Sequence, residues 1–449
     1  RARGPDQMAG TEGTMIARSP ASGERPDWRE TRTKHDPVDV AAVRADDGRP
    51  IPARSAPDLS PRRRYLALVA LSFIAFISLG LPDGVLGVAW PSIRSTFEIP
   101  VSRLGVLLIF GTAGYLIVSS MTGPIARRMG IGALLCGSTV LAGTGLLLFA
   151  VAPAWWWLPV GAFVGGLGAG GIDAGLNTFA AERFSARIVS WLHACWGIGA
   201  TLGPLLVTGV LMLDLSWRLG YAALAGMMAL LACLFACTLT LWKVHAGPEH
   251  EAVTKAPLGA TLRRPVAWAH VGVFWTYCGV ESSAGQLAYT LLVEGRGVRP
   301  EIAGPVVGGY WAALTIGRVI FGHSAAHWSR DAILRIGTFG APLGIALLWW
   351  HPSEFVSFAG LWILGFELAP IFPMMISATP ERLGREHGAN AVGMQMAAAS
   401  LGVAVLPGVA ALLMRSYGHE SLPVFLLVLA LAIVVLQEAA VRLTPRAAA

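Results

Sequence analysis

The sequence predicts an all-α integral membrane protein in which twelve transmembrane helices form two six-helix bundles, and three observations carry that prediction. Over 449 residues, 54% are hydrophobic and only 14% are charged, a balance that no water-soluble globule of this size shows. Twelve stretches supply the roughly 20 apolar residues that a helix needs to cross a hydrocarbon core of about 30 Å. The longest polar connection follows the sixth stretch, and a shift of 199 positions superposes the two halves of the chain. It brings Gly105 onto Gly304, Gly123 onto Gly322, Gly203 onto Gly402, and Glu182 with Arg183 onto Glu381 with Arg382.

Residues 1–60 are rich in Arg, Asp, Pro, Gly and Ser, with no apolar period and no compact apolar signal core, so a disordered cytoplasmic tail is expected. The first span (65–92) follows Arg62, Arg63 and Arg64, and the second (103–127) closes on Arg127 and Arg128. The third (131–152) leads into the fourth (155–180), where GGLGAGG (165–171) leaves little side-chain bulk and suits close helix packing. Arg183 and Arg187 join it to the fifth (187–213), and the sixth (217–243) runs into the polar connection. That divides the chain into an N-terminal bundle (61–243), a cytoplasmic linker (244–264), a C-terminal bundle (265–442) and a short cytoplasmic tail (443–449). The second bundle holds spans at 265–294, 302–326, 331–350, 354–378, 388–414 and 420–441.

Basic residues gather on alternate loops, the opposite loops carrying about a third as many, which places both termini on the cytoplasmic side of a cell membrane. The net charge of +7 thus reads as membrane orientation rather than nucleic-acid binding. All five cysteines lie inside spans without metal-type spacing and read as packing residues. No phosphate loop, HExxH or clustered Cys/His occurs, so neither a nucleotide motor, a metal nor another cofactor is expected.

Four acids lie where water is scarce. A carboxylate in a bilayer core costs at least about 2.5–3.5 kcal/mol, so such groups face a water-filled cavity or a partner. Glu281 and Glu367 fall near the middle of their spans, Asp83 toward the outside, and Asp173 toward the cytoplasm. Asp83 follows Pro82, which removes a backbone donor, and stands between Gly80 and Gly84, so the helix is expected to loosen beside it. Asp173 and Asn177, four residues apart, share a helix face. His193 lies about two turns inside the fifth span, between Trp191 and Trp196.

In the seventh span, Glu281, Ser282 and Tyr289 lie near one stripe with Gln286 at its edge, and Tyr289, Tyr310, Trp275 and Trp311 offer flat apolar faces. The tenth span reads GFELAPIFPMM (365–375), where Pro370 and Pro373 are expected to bend or interrupt the helix. It is either a gate or a kink in which Glu367 satisfies a freed backbone group. Pro82, Glu367, Pro370 and Pro373 are the gating candidates, and Asn390 and Gln395 complete the polar inventory.

Six spans plus six with a cytoplasmic central loop resembles the major facilitator superfamily. GPIARRMG (123–130) is similar to that superfamily's loop motif, and GRVIFG (317–322) holds the equivalent place in the second half. The latter reads either as a trace of that motif or as close packing by Gly317 and Gly322 with Arg318 reaching the headgroups. Asp83, GIDAGLNTF (171–179), WLHACWGIGA (191–200) and YCGVESSAGQ (277–286) resemble the fucose-permease-like sugar:proton symporters. The resemblance implies that Asp83, Asp173 and Asn177 handle protons and sugar and that His193 stands at a sugar-binding position.

With no motor and buried acids whose protonation can follow a gradient, the expectation is a non-enzymatic, proton-coupled carrier of a small polar solute, sugar- or polyol-like. Asp83, Asp173 and Glu281 would carry protons, and Asn177, His193, Gln286, Tyr289, Tyr310, Asn390 and Gln395 would line the cavity with those acids. A proton-coupled exporter of drugs or metabolites and a non-transporting receptor or scaffold are the rivals. The partners expected are solute, protons and lipid, and the chain is expected to act as a monomer.

Overall fold

The computed structural model describes residues 61–242 and 256–444. The expected N-terminal tail, most of the linker and the last five residues of the C-terminal tail lie outside the described residues. The N-terminal bundle consists of α1 (Pro61–Gly80), α2 (Val85–Phe97), α3 (Leu104–Met129), α4 (Ile131–Val151), α5 (Trp157–Arg183), α6 (Ala186–Met212) and α7 (Trp217–Cys237). After the short α8 (Leu258–Leu262) come α9 (Pro265–Thr290), α10 (Pro300–Ser324), α11 (Arg330–Trp350), α12 (Glu354–Leu368), α13 (Ile371–Leu383), α14 (Arg385–Tyr417) and α15 (Ser421–Leu443).

Helix starts follow local chemistry. Pro265 and Pro300 sit in the first turns of α9 and α10, where a missing N–H costs nothing. The hydroxyls of Ser216, Ser329 and Ser353 accept from backbone N–H groups at the starts of α7, α11 and α12.

Two of the expected spans are broken helices. The first divides into α1 and α2 at Leu81 to Gly84, where Pro82 supplies no N–H and Gly84 takes a left-handed φ of 74°. The tenth divides into α12 and α13 at Ala369 and Pro370. Pro373 was expected to share in that bend, but it stands in the first turn of α13, where the helix tolerates it.

Nine helical stretches among the described residues are long and apolar enough to cross a membrane. The long helices α5, α9 and α10 fall short of that measure. They carry Asp173 and Asn177, Glu281 and Gln286, and Arg318, so the polar residues themselves depress the apolar signal. Exposed large apolar side chains such as Ile109, Leu230, Val428 and Val435 form the outward surface that a bilayer covers.

Glycines set the helix spacing. Along α5, Gly166 and Gly170 lie against the backbone of α3 at Gly111 and Tyr115, while Gly165 and Gly168 lie against α4 at Gly145 and Ala142. The run GGLGAGG is therefore a packing device that seats α5 between two neighbours.

The repeat reappears in the packing. Gly203 of α6 rests on the Leu81 carbonyl, and Gly402 of α14 rests on the Trp275 carbonyl of α9. Gly105 of α3 meets Gly408 of α14, and Gly304 of α10 meets Thr208 of α6, which is the same contact carried across the shift to within one residue.

Because successive spans are antiparallel, one end of the molecule carries the start of α1 and the end of α15, and the other is the far end. At the first end, Asn390 Nδ2 donates to the Ala256 carbonyl (2.9 Å) and to Thr261 Oγ1 (3.2 Å), tying α8 to α14. At the far end, Arg94 and Glu294 pair across the bundles at 2.6 Å. Arg296 donates to both Glu420 oxygens (2.7 and 2.8 Å), to Ser357 Oγ (2.6 Å) and to the Leu348 carbonyl (2.8 Å). Those hydrogen bonds hold the Glu420 carboxyl below the ordinary range.

Candidate functional site

The break between α1 and α2 turns Asp83 toward α6. There Trp196 Nε1 donates to Asp83 Oδ2 at 2.9 Å. From the C-terminal bundle, the Arg318 guanidinium of α10 stacks 4.7 Å from the centre of the same Trp196 ring. Arg318 Nη2 stands 3.7 Å from Glu281 Oε2 on α9. The Tyr277 hydroxyl donates to that same Glu281 oxygen, and Tyr310 donates to the Glu281 backbone carbonyl at 3.0 Å. Asp173, Glu281 and Arg318 all lie within electrostatic reach of Asp83.

On α5, Asp173 accepts from the Tyr115 hydroxyl of α3 (2.5 Å) and from Asn177 Nδ2 (2.8 Å). The four-residue spacing between Asp173 and Asn177 thus produces the shared face that the sequence implies. His193 lies edge-on to Phe76, with ring centres 5.5 Å apart. It stands one turn from Gly197, the point where α6 meets Thr315 of α10. His193 is exposed, so the bundles have diverged by its level.

The contacts between bundles at Gly197, Gly304, Gly87 and Gly105, and the pair of Arg94 and Glu294, run from mid-depth to the far end. The polar cluster therefore sits at the apex of a wedge that opens toward the end carrying the chain termini. Asp83 at the break, and Asp173, Asn177, Glu281 and Arg318 within their helices, remain partly exposed there.

Not every expected residue joins this cluster. Gln286 lies with its backbone against Gly87 of α2, and its side-chain Oε1 is buried and without a partner among the described residues. Tyr289 is buried toward the far end, and Tyr310 is buried against Glu281. Asn390 is spent on α8, as described above.

Gln395 belongs to a separate buried network in the C-terminal bundle, donating to Thr379 Oγ1 and His270 Nδ1 at 2.8 Å each. Arg382 extends that network to Asp331 at 2.6 Å. Glu367 packs on Gly340 of α11, with Oε2 buried and unpartnered among the described residues, and so does not reach the wedge. Of the aromatic faces, Trp311 lies against Gly84 and Gly285, whereas Trp275 is exposed.

Four contributors went unassigned in the sequence: Arg318, Trp196, Tyr115 and Tyr277. Headgroup contact by Arg318 was one of the two readings of GRVIFG. The Arg318 side chain is only 20% exposed and points inward, and Gly317 beside it is pressed against Phe366 of α12 and Ala369 at the break that follows. A cation eight residues from the end of its expected span is as costly in lipid as an acid, and that signal was available.

A family model described as Major Facilitator Superfamily matches residues 71–341. The glucose/mannose transporter GlcP of Bacillus subtilis is 19% identical over 340 residues, spanning 74% of this chain and 84% of that protein. Among solved structures, an inward-facing, occupied bacterial homologue of the human lysosomal transporter Spinster superposes with a TM-score of 0.68 at 12% identity, covering 84% of this chain and 96% of that one. The transporter FucP in its outward conformation superposes with a TM-score of 0.59 at 17% identity, covering 85% and 100%.

Proposed function

From the premise that this chain belongs to the Major Facilitator Superfamily of membrane transporters, we propose that it is a proton-coupled secondary active carrier of a small polar solute of sugar or polyol type. The observation that carries the reading is the placement of three carboxylates at the apex of the wedge, two on one bundle and one on the other. Asp83 and Asp173 take protons, Glu281 answers them across the seam through Arg318, and Asn177 and His193 meet the hydroxyls of the solute. The glucose/mannose specificity of GlcP supports a sugar as the first solute to test.

The packing supports alternating access. Contact between the bundles at the far end, with divergence at the end bearing the termini, is an inward-facing arrangement if both termini are cytoplasmic. Opening the far end requires the pair of Arg94 and Glu294 to separate while the start of α6 closes on the end of α10.

The test is uptake of labelled glucose, mannose and fucose into proteoliposomes under an imposed proton gradient, for the native chain and for Asp83→Asn and Asp173→Asn. Gradient-driven accumulation is expected in the native chain and should be lost in both variants. Accumulation left unchanged in both variants overturns proton coupling at these sites. Extrusion rather than uptake, with the same dependence on the two acids, identifies an exporter.

A further inference from the structure

Two basic side chains of different kinds share one oxygen at the far end. Glu294 Oε2 pairs with Arg94 Nη1 at 2.6 Å and lies 3.4 Å from His419 Nε2. Arg94 comes across the seam from α2, whereas His419 stands in the connection from α14 to α15, on the same bundle as Glu294. His419 is fixed in that place. A Cβ at Gly295 would lie 2.7 Å from the His419 Cβ, the His419 carbonyl accepts from the Leu422 N–H at 3.1 Å, and Arg296 grips the adjacent Glu420. When the far end opens, Arg94 withdraws and His419 stays.

What Glu294 keeps then depends on one proton. Arg296 is spent on Glu420, Ser357 and the Leu348 carbonyl. With a neutral imidazole, opening strips the Glu294 carboxylate of the cation that faces it. An imidazolium instead leaves it an opposite charge on its own bundle. The closed state responds in the converse way, because an imidazolium and a guanidinium crowded onto one oxygen repel each other. Both effects have the same sign: a proton on His419 favours separation.

We propose that His419 is a proton-sensing site that releases the latch of Arg94 and Glu294, so that acid at the far end opens the carrier there. This rests on the transporter reading given above and adds a control over its gate. With the termini cytoplasmic, the far end is the outer side, from which a proton-driven carrier loads. Histidine is the side chain whose ordinary titration falls between about pH 5 and pH 8, and His419, Arg94 and Glu294 are all partly exposed to the water there.

The groups facing His419 are Arg94 on α2, Glu294 and Arg296 after α9, Glu420 beside it, and His351 after α11, which reaches the same Glu420 electrostatically. Two arginines balance two glutamates, so the cluster is neutral until a histidine takes a proton. His351 belongs to the side of the cluster that does not cross the seam, which makes it the internal control.

The experiment reads the width of the far end by pulsed EPR, in lipid nanodiscs, on the full-length chain lacking its five native cysteines. Spin labels go on Leu213→Cys and Phe355→Cys, two exposed positions at the far ends of α6 and α12 in opposite bundles. The open fraction is expected to rise about threefold between about pH 8 and pH 5, a size set by the partial exposure of the pair. H419Q should remove that step, H419K should open the far end already at the alkaline limit, and H351N should leave the step in place. Titration of the wedge acids persists in H419Q and is thereby separated. In a Glu294→Gln background, H419Q should change nothing further, and thermal midpoints of the variants control for folding. A step unchanged in H419Q, or an H419K no more open than the native chain at the alkaline limit, overturns this inference and leaves the carrier reading standing. A far end closed at every pH, together with no gradient-driven uptake, overturns both.

Discussion

At the scale of single residues, Gly84 shows how tightly the break beside Asp83 is specified. Its φ of 74° is a conformation that L side chains adopt at a cost, and an added Cβ would lie 2.5 Å from Trp311 Nε1. Gly84→Ala is expected to cost about 1–3 kcal/mol through backbone strain, with the crowding against Trp311 adding to it, and a lowered unfolding midpoint of the purified protein checks this. Asp83, Asp173, Asn177, His193 and Glu281 were legible in the sequence because each is a polar group in an apolar run. Asn390, Gln395 and Glu367 passed the same filter and lie elsewhere. Depth along a span can be counted from the sequence, whereas the direction in which a helix is turned is set by neighbours such as Gly340 and Thr379. Arg318 was not among the site candidates, since GRVIFG reads either as a trace of the superfamily loop motif or as close packing with Arg318 at the headgroups.

At the scale of elements, the glycine run of α5 and the prolines at 82 and 370 announced their roles in sequence: close approach in the first case, interruption in the other two. Pro373 did not break its helix, because proline in a first turn displaces no hydrogen bond. The connection from α9 to α10 is fastened by Arg296, whose hydrogen bonds depress the Glu420 carboxyl from its ordinary value of 4.5. The sign is that of a paired carboxylate. The stabilisation is complete above the pKa of the unfolded chain and disappears as pH falls below about 4.5 toward the depressed folded value. Glu420→Gln is thus expected to lower stability at neutral pH and to flatten the acid-side decline. Thermal midpoints of both proteins, followed from neutral pH into that range, check it. Because Glu420 is partly exposed, the effect should shrink with added salt.

For the whole molecule, the two-bundle plan was legible from the polar connection and the 199-residue shift, and the shift recurs in the contact of Gly105 with Gly408 and of Gly304 with Thr208. Which ends of the bundles touch was not legible, because both ends carry the same kinds of small residues. That contact gives a test of motion. A Cβ at position 105 would lie 2.8 Å from the Gly408 Cα, so a leucine there acts as a wedge. Gly105→Leu is expected to hold the far end apart and to reduce uptake at least tenfold. In a background lacking the five native cysteines, a cysteine replacing Gln286, now covered by α2, should then react faster with a water-soluble thiol reagent.

The short helix α2 belongs by sequence to the first bundle, yet Gly87 rests on Gln286 and Arg94 on Glu294, both in the second. It is joined to α1 only through Leu81 to Gly84. Trp217 Nε1 also donates to Thr96 Oγ1 and Trp155 lies edge-on to Trp90, so α2 is held by both halves at once and the break at Leu81 to Gly84 is the boundary where movement between them is taken up. Asp83 lies on that boundary, where any relative slip first alters what its carboxylate meets.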